Sequence, residues 1–151
     1  MSESPLVIHA SKGERPLQAF GEEVHFYLTG EETEGRLTQW LEITPPGGGP
    51  PPHFHAGEDE WFHVLEGRVS FYGDGQWTEV GPGARVWAPR GTIHTFKNTG
   101  DIPSRMLLAT MPSGFEIFFA KCAEEFARPD GPDMPRVLEI AAEHGIHFVD
   151  P

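Results

Sequence analysis

Cys122 is the only cysteine in the chain, so no disulfide can form within it. That excludes a disulfide-stapled scaffold and fits a reducing compartment, and the cytoplasm is the expected location. Cations are scarce as well. Lys and Arg number 11 against 23 Asp and Glu, for a formal net charge of -12. Nucleic acids and anionic membrane surfaces both demand a basic footprint, so neither is expected as a partner. No apolar run approaches the roughly 18 residues of a membrane-spanning helix. The opening Met-Ser-Glu-Ser-Pro has neither the basic nor the apolar region of a signal peptide. A small-molecule substrate stays open, because a pocket sets its own local field whatever the net charge.

What the chain does have is turn chemistry. Its 151 residues suit one domain, 1–151, around one core, and Gly 18 with Pro 15 point to frequent turns and few long helices. Short β-like runs appear at Leu6–His9, Val24–Leu28 and Arg36–Thr44, with Gly30 to Gly35 as a hairpin loop. Further runs follow at Trp61–Leu65, Arg68–Tyr72, Gln76–Val80, Arg85–Ala88, Thr92–Lys97 and Arg105–Thr110. Strands this short, at such even spacing, read as an all-β sandwich or barrel over about residues 20–112. No internal duplication is visible.

Between two of these runs lies Pro45–Pro52, built only of Pro and Gly. It has few ladder donors and reads as a stiff connector that delivers the chain to His53. After Pro112 the period changes. Phe115, Phe118, Phe119, Cys122 and Phe126 form one helical stripe, with Ser113 and Glu116 spaced as a capping box. A second short helix is expected from about Asp133 to His144, with Pro135 in its first turn and Gly145 at its end, so the helical segment covers about 113–145.

Metal chemistry is written in the spacing Gly47-x5-His53-x-His55-x4-Glu60-x6-Gly67, followed by Gly83-x5-Pro89-x-Gly91-x2-His94-x3-Asn98. Residues two apart on a strand share a face, so His53 and His55 point the same way. A short acidic loop returns Glu60, and His94 arrives from a different strand. Three imidazoles and one carboxylate suit a divalent transition metal (Fe, Mn, Ni, Co, Cu or Zn), one per chain, whereas Ca or Mg sites are oxygen-rich.

Alternation from Glu60 directs Phe62 and Val64 inward, and Trp61, His63 and Leu65 to the other face. Phe62, Val64 and Phe96 therefore stand as candidate substrate-pocket residues. His63 is expected in sheet or subunit packing, Glu58 and Asp59 as solvated loop acids, and Cys122 as core filling.

Both spaced segments resemble the signature motifs of the cupin superfamily, matching at all ten defining positions. The resemblance implies a double-stranded β-helix, a jelly-roll-like barrel, followed here by two short helices. It also implies metal ligation by His53, His55, Glu60 and His94, and homodimers. The runs Glu58–Gly67 and Pro112–Glu116 are further similar to quercetin 2,3-dioxygenase-like cupins. That similarity implies a metal-dependent dioxygenase acting on a flavonol-like or other enolisable aromatic molecule, with Glu60 as ligand and catalytic base. Cupins also include oxygen-independent decarboxylases, lyases and isomerases, and non-catalytic binding proteins, so those remain the alternatives.

Overall fold

The computed structural model describes residues 6–10 and 15–150. Residues 6–10 carry no regular structure. β1 (Leu17–Ala19) and β2 (Glu22–Leu28) then lead through one helical turn, α1 (Gly30–Thr33), to β3 (Thr38–Thr44). Next come β4 (His53–His55), β5 (Asp59–Glu66), β6 (Val69–Gly73), β7 (Gln76–Val80), β8 (Arg85–Ala88), β9 (Thr95–Asn98) and β10 (Ser104–Met111). The chain continues through α2 (Phe115–Phe126), α3 (Met134–Glu143) and β11 (Ile146–Phe148).

A six-stranded sheet in the order β1-β2-β3-β10-β5-β8 packs against a three-stranded sheet, β7-β6-β9, while β11 and β4 form a pair of their own. Phe62 of β5 meets Phe71 of β6 and Phe96 of β9, with ring centroids 5.3 and 6.2 Å apart. The architecture is the jelly roll that the cupin resemblance implies, built as a sandwich whose main sheets are left open. β1, β8 and β7 are left as hydrogen-bonding edges, and a single bridge, His53 to His94, ties the region of β4 to that of β9.

Register places the inward residues in rows. Thr110 of β10 lies between Thr38 and Glu60, Leu108 between Trp40 and Phe62, and Met106 between Glu42 and Val64. These rows form the floor of the interior. Trp40, Phe62, Val64, Met106 and Leu108 are almost fully buried, which supplies the main apolar stabilisation at about 25 cal/mol for each Å² removed from water.

The Pro-Gly connector is ordered because β9 holds it. Gly47 N–H donates to the Asn98 carbonyl and Asn98 N–H to the Gly48 carbonyl, both at 2.9 Å, and Thr95 Oγ1 donates to the Pro50 carbonyl at 2.6 Å. Gly49 comes so close that a Cβ there would lie 2.0 Å from the Phe96 carbonyl oxygen. Only glycine fits.

Several local expectations need correction. Leu6–His9 forms no strand: Leu6 and Ile8 are 85% and 76% exposed, and no strand among the described residues pairs with them. The Gly30–Gly35 link does join the antiparallel pair β2–β3 as a hairpin loop, and its backbone forms one helical turn with Glu34 left-handed at its end. The capping box at Ser113 does not form. Gly114 is the N-cap, and Glu116 instead accepts from the N–H groups of Gly30 and Gly114 and from Thr38 Oγ1. Donors on Gly30, in the β2–β3 link, and on Thr38, at the start of β3, draw Glu116 away from the local cap. In α3 the expected start does form, with Asp133 accepting from Arg136 N–H at 3.4 Å.

Candidate metal centre

Each of the four residues reaches the site by a separate device. His53 and His55, two apart on β4, turn the same way, and both are buried. Gly91, at φ 84°, makes the turn that returns His94. The His53 and His94 backbones then exchange hydrogen bonds of 3.1 and 2.9 Å, which fixes the two imidazoles side by side. Glu60 stands on β5 with its neighbouring turn held by Asp59, which accepts from the Arg90 backbone N–H at 2.9 Å and pairs with its guanidinium. One ligand atom from each of His53, His55, Glu60 and His94 lies within 4.8 Å of all the others.

The outward ring nitrogens are all engaged. Nδ1 of His53 meets the Pro51 carbonyl at 2.8 Å, Nδ1 of His94 meets the Thr92 carbonyl at 2.9 Å, and Nδ1 of His55 meets Glu58 Oε1 at 3.3 Å. Carbonyl and carboxylate acceptors place a proton on each Nδ1, so each Nε2 is the nitrogen left for the centre. His94 Nε2 lies 2.8 Å from Glu60 Oε1. His55 Nε2, 3.4 Å from the same oxygen, is buried without an aligned hydrogen bond.

Electrostatics follow from this crowding. Burial, reinforced by the neighbouring His94 and His55, lowers the His53 pKa to about 3 and keeps that imidazole neutral. Burial works against charge on His55 too, but there Glu60 and Glu58 outweigh it and raise the pKa to about 10. Burial also opposes ionisation of Glu60, yet His55 and His94 hold its carboxyl well below the usual range. A nitrogen-rich, buried donor set with one unsatisfied Nε2 and one firmly ionised carboxylate fits a divalent transition metal, whose charge would replace the shared protons.

His53, His55 and Glu60 line one end of a cavity walled mostly by apolar side chains, and His94 packs against His53 beside it. Of the expected pocket residues, Phe62 and Phe96 line this cavity. Val64 does not: it lies in the floor row furthest from Glu60, sealed into the core beside Met106. Phe115, Phe118 and Phe119 of α2 form another wall, and Phe115 stacks on Trp40 at 4.1 Å. Cys122 is fully buried, and burial followed by the Glu125 charge raises its thiol to about 11. His63 lies half-buried against Trp61 on the outer face of β5.

Sequence reasoning missed four contributors. β11 pairs with β4 and brings Ile146 and Phe148 into the wall, a contact that three residues following a helix do not announce. Glu58 is buried beside His55 and is not a solvated loop acid as expected, because the loop folds over the imidazole. Glu22 and Glu42 line the cavity too. Their signal was present: each alternates with apolar residues, Glu22 with Val24 and Phe26, and Glu42 with Trp40, on faces that the period marks as internal.

A jelly-roll sandwich holding three histidines and a glutamate at the end of an apolar cavity defines a class of metal-centred small-molecule proteins. Residues 40–110 match the family model described as "Cupin domain". The quercetin 2,3-dioxygenase of Bacillus subtilis is 26% identical over 137 residues, covering 90% of this chain and 40% of that relative. An oxidoreductase of Beauveria bassiana, OpS7, is 34% identical over 99 residues, which is 59% of this chain and 32% of the relative. The chain thus spans two-fifths or less of the length of these two curated relatives. Among solved structures, a predicted oxalate decarboxylase from Thermotoga maritima superposes with a TM-score of 0.64 at 20% identity, over 70% of this chain and 99% of that one. Residues 40–110 are thus a domain of the cupin superfamily.

Proposed function

We propose that the protein is a metal-dependent dioxygenase acting on a flavonol-like or other enolisable aromatic small molecule. The observation that carries this reading is the joining of two features in one cavity: the converging Nε2 atoms and Glu60 at one end, and phenylalanine walls around the rest. Similarity to a quercetin 2,3-dioxygenase over 90% of this chain adds to it. His53, His55, Glu60 and His94 would hold the ion, which when bound supplies Lewis acidity and redox chemistry towards dioxygen.

The chain's own residues account for the remaining requirements. Phe62, Phe96 and Phe115 accept an aromatic body and keep water out, which strengthens every charge interaction inside. Glu60, buried at the end of the cavity, takes the proton from the substrate's enolic hydroxyl at a carboxylate oxygen. His94, 2.8 Å from Glu60, and His55, 3.4 Å from it, fix the position of that carboxylate. The reading further takes the protein as a cytoplasmic homodimer.

The test combines elemental analysis of protein from native-like growth with oxygen-uptake measurements on flavonols, catechols and other enols. Stoichiometric oxygen consumption with an enol, abolished in E60A while the fold survives, supports the reading. Turnover of the same compounds under argon would assign the site to oxygen-independent chemistry instead.

A further inference from the structure

The metal cluster occupies only one end of the cavity. Towards the other, Glu22 of β2 and Glu42 of β3 line the wall, 4% and 5% exposed. Pairing of Val24 with Glu42 and of Glu23 with Ile43 makes the two glutamates diagonal neighbours on the inner face. Between them and Glu60 runs the Trp40–Leu108–Phe62 row. The Glu42 and Glu60 rows are four residues apart along the strands, roughly 13 Å at ~3.3 Å per residue.

Their hydrogen bonding is incomplete in a specific way. Thr44 Oγ1 donates to Glu22 Oε2 at 2.5 Å, and Trp40 Nε1 donates to Glu42 Oε1 at 3.1 Å. Glu22 Oε1 is buried and accepts from no fixed hydroxyl or N–H among the described residues. Burial, then the charge of Glu22, hold the Glu42 carboxyl well above the usual range, and burial raises the Glu22 carboxyl as well. No Lys or Arg lines the cavity beside the pair. A buried carboxylate with spare acceptor capacity is costly, and an apolar or amide pair would fill the same sheet positions without that cost.

We propose that Glu22 and Glu42 form a second anchoring point, which binds a hydroxyl group of an aromatic ligand whose other end lies at the His53–His55–Glu60–His94 cluster. Glu22 Oε1 accepts the ligand's hydroxyl proton in a hydrogen bond, Glu42 holds Glu22 in place, and the phenylalanine walls cover the body between. The ligand class is an aromatic molecule with an oxygen function at each end. This deepens the reading above and rests on it for the aromatic substrate, though not for the oxygen chemistry.

Paired probes test it: 2,6-dihydroxynaphthalene and 6-methoxy-2-naphthol, which share one hydroxyl and differ only in the second. Their affinities are measured by fluorescence titration of the full chain as isolated, under argon so that no turnover intervenes. The diol is expected to bind about tenfold or more tightly than the ether, as a hydrogen bond to a charged acceptor provides. E22Q should reduce that ratio to about threefold or less, since the neutral amide is a weaker acceptor. In E42Q the new amide can still donate to Glu22 and accept from Trp40, so the preference should stay above about fivefold. Equal affinity of the two probes in the wild type, failure of both to bind, or a ratio unmoved in folded E22Q would each overturn the proposal. The wild-type ratio decides on its own if E22Q does not fold. Loss of oxygen uptake with the diol preference intact would count against the dioxygenase reading alone.

Discussion

Glu58 Oε1 lies 3.3 Å from Nδ1 of His55, and both residues are buried. The other two histidines of the cluster rest on backbone carbonyls, of Pro51 and Thr92, so His55 alone depends on a replaceable side chain for its orientation. A carboxylate behind an imidazole both fixes the ring and raises its basicity as a ligand.

Glu58→Ala should therefore weaken metal binding about 10–100-fold while leaving the other three ligands in place. Competition with a chelator, read by elemental analysis, measures this. The corresponding His55→Ala should cost more, and unchanged affinity in Glu58→Ala would remove the acid from the site.

Glu42 makes stability depend on pH in a defined direction. Its carboxyl keeps a proton in the fold that the unfolded chain releases above its ordinary value of 4.5, so unfolding releases protons. Stability is therefore full below about 4.5 and falls as pH rises towards the elevated native value. E42Q removes that proton and should melt higher than wild type at pH 8 but not at pH 4.5. Each kcal/mol recovered corresponds to about 2–4 °C for a chain of this size. Parallel melting curves at both pH values would show a gap that opens only on the alkaline side.

Phe115 stacks on Trp40 with ring centroids 4.1 Å apart and also faces the cavity. Phe115→Ala should destabilise the fold by about 2–4 kcal/mol through lost aromatic packing and incomplete collapse of the gap. Metal content should not change, because none of the four ligands lies on α2. Chemical denaturation together with metal analysis separates the two effects.

Trp87 on the edge strand β8 is 56% exposed and sits opposite Trp61 on β5. An unpaired edge with large apolar side chains suits contact with a second copy of the chain. Light scattering on the wild type is expected to give a dimer, and Trp87→Arg to shift it towards monomer. A monomeric wild type would dispose of the assembly.

Cys122 supplies a control on the interior. With its thiol raised to about 11 by burial and the nearby Glu125, it should resist a disulfide-forming reagent at pH 8 until the protein is unfolded. Fast labelling of folded protein would mean that α2 opens locally.

His53, His55, Glu60 and His94 were legible because they stand at the ligand positions of the cupin motifs, and strand period explains why His53 and His55 turn the same way. Residues two apart on a strand share a face, and the glycines at 67, 83 and 91 mark where the chain turns. The strands from Trp61 to Thr110 were legible for the same reason. Other features depended on partners distant in sequence. Ser113 lost its capping role because Glu116 found donors on Gly30 and Thr38, some 80 residues earlier. Leu6–His9 has a strand-like pattern but no neighbouring edge to pair with among the described residues.

By itself, then, the sequence determined the β class and the apolar stripe of α2 through local period, and the four-residue cluster through its match to the cupin motifs. Tertiary structure alone decided that the sheets stay open, that β11 closes against β4, and that Glu58 stands behind His55. It also placed Glu22 and Glu42 in the same cavity as the ligands. The physical reason is burial: whether a glutamate is a solvated surface group or an internal acid depends on what packs over it, and that is set by segments far away in the chain.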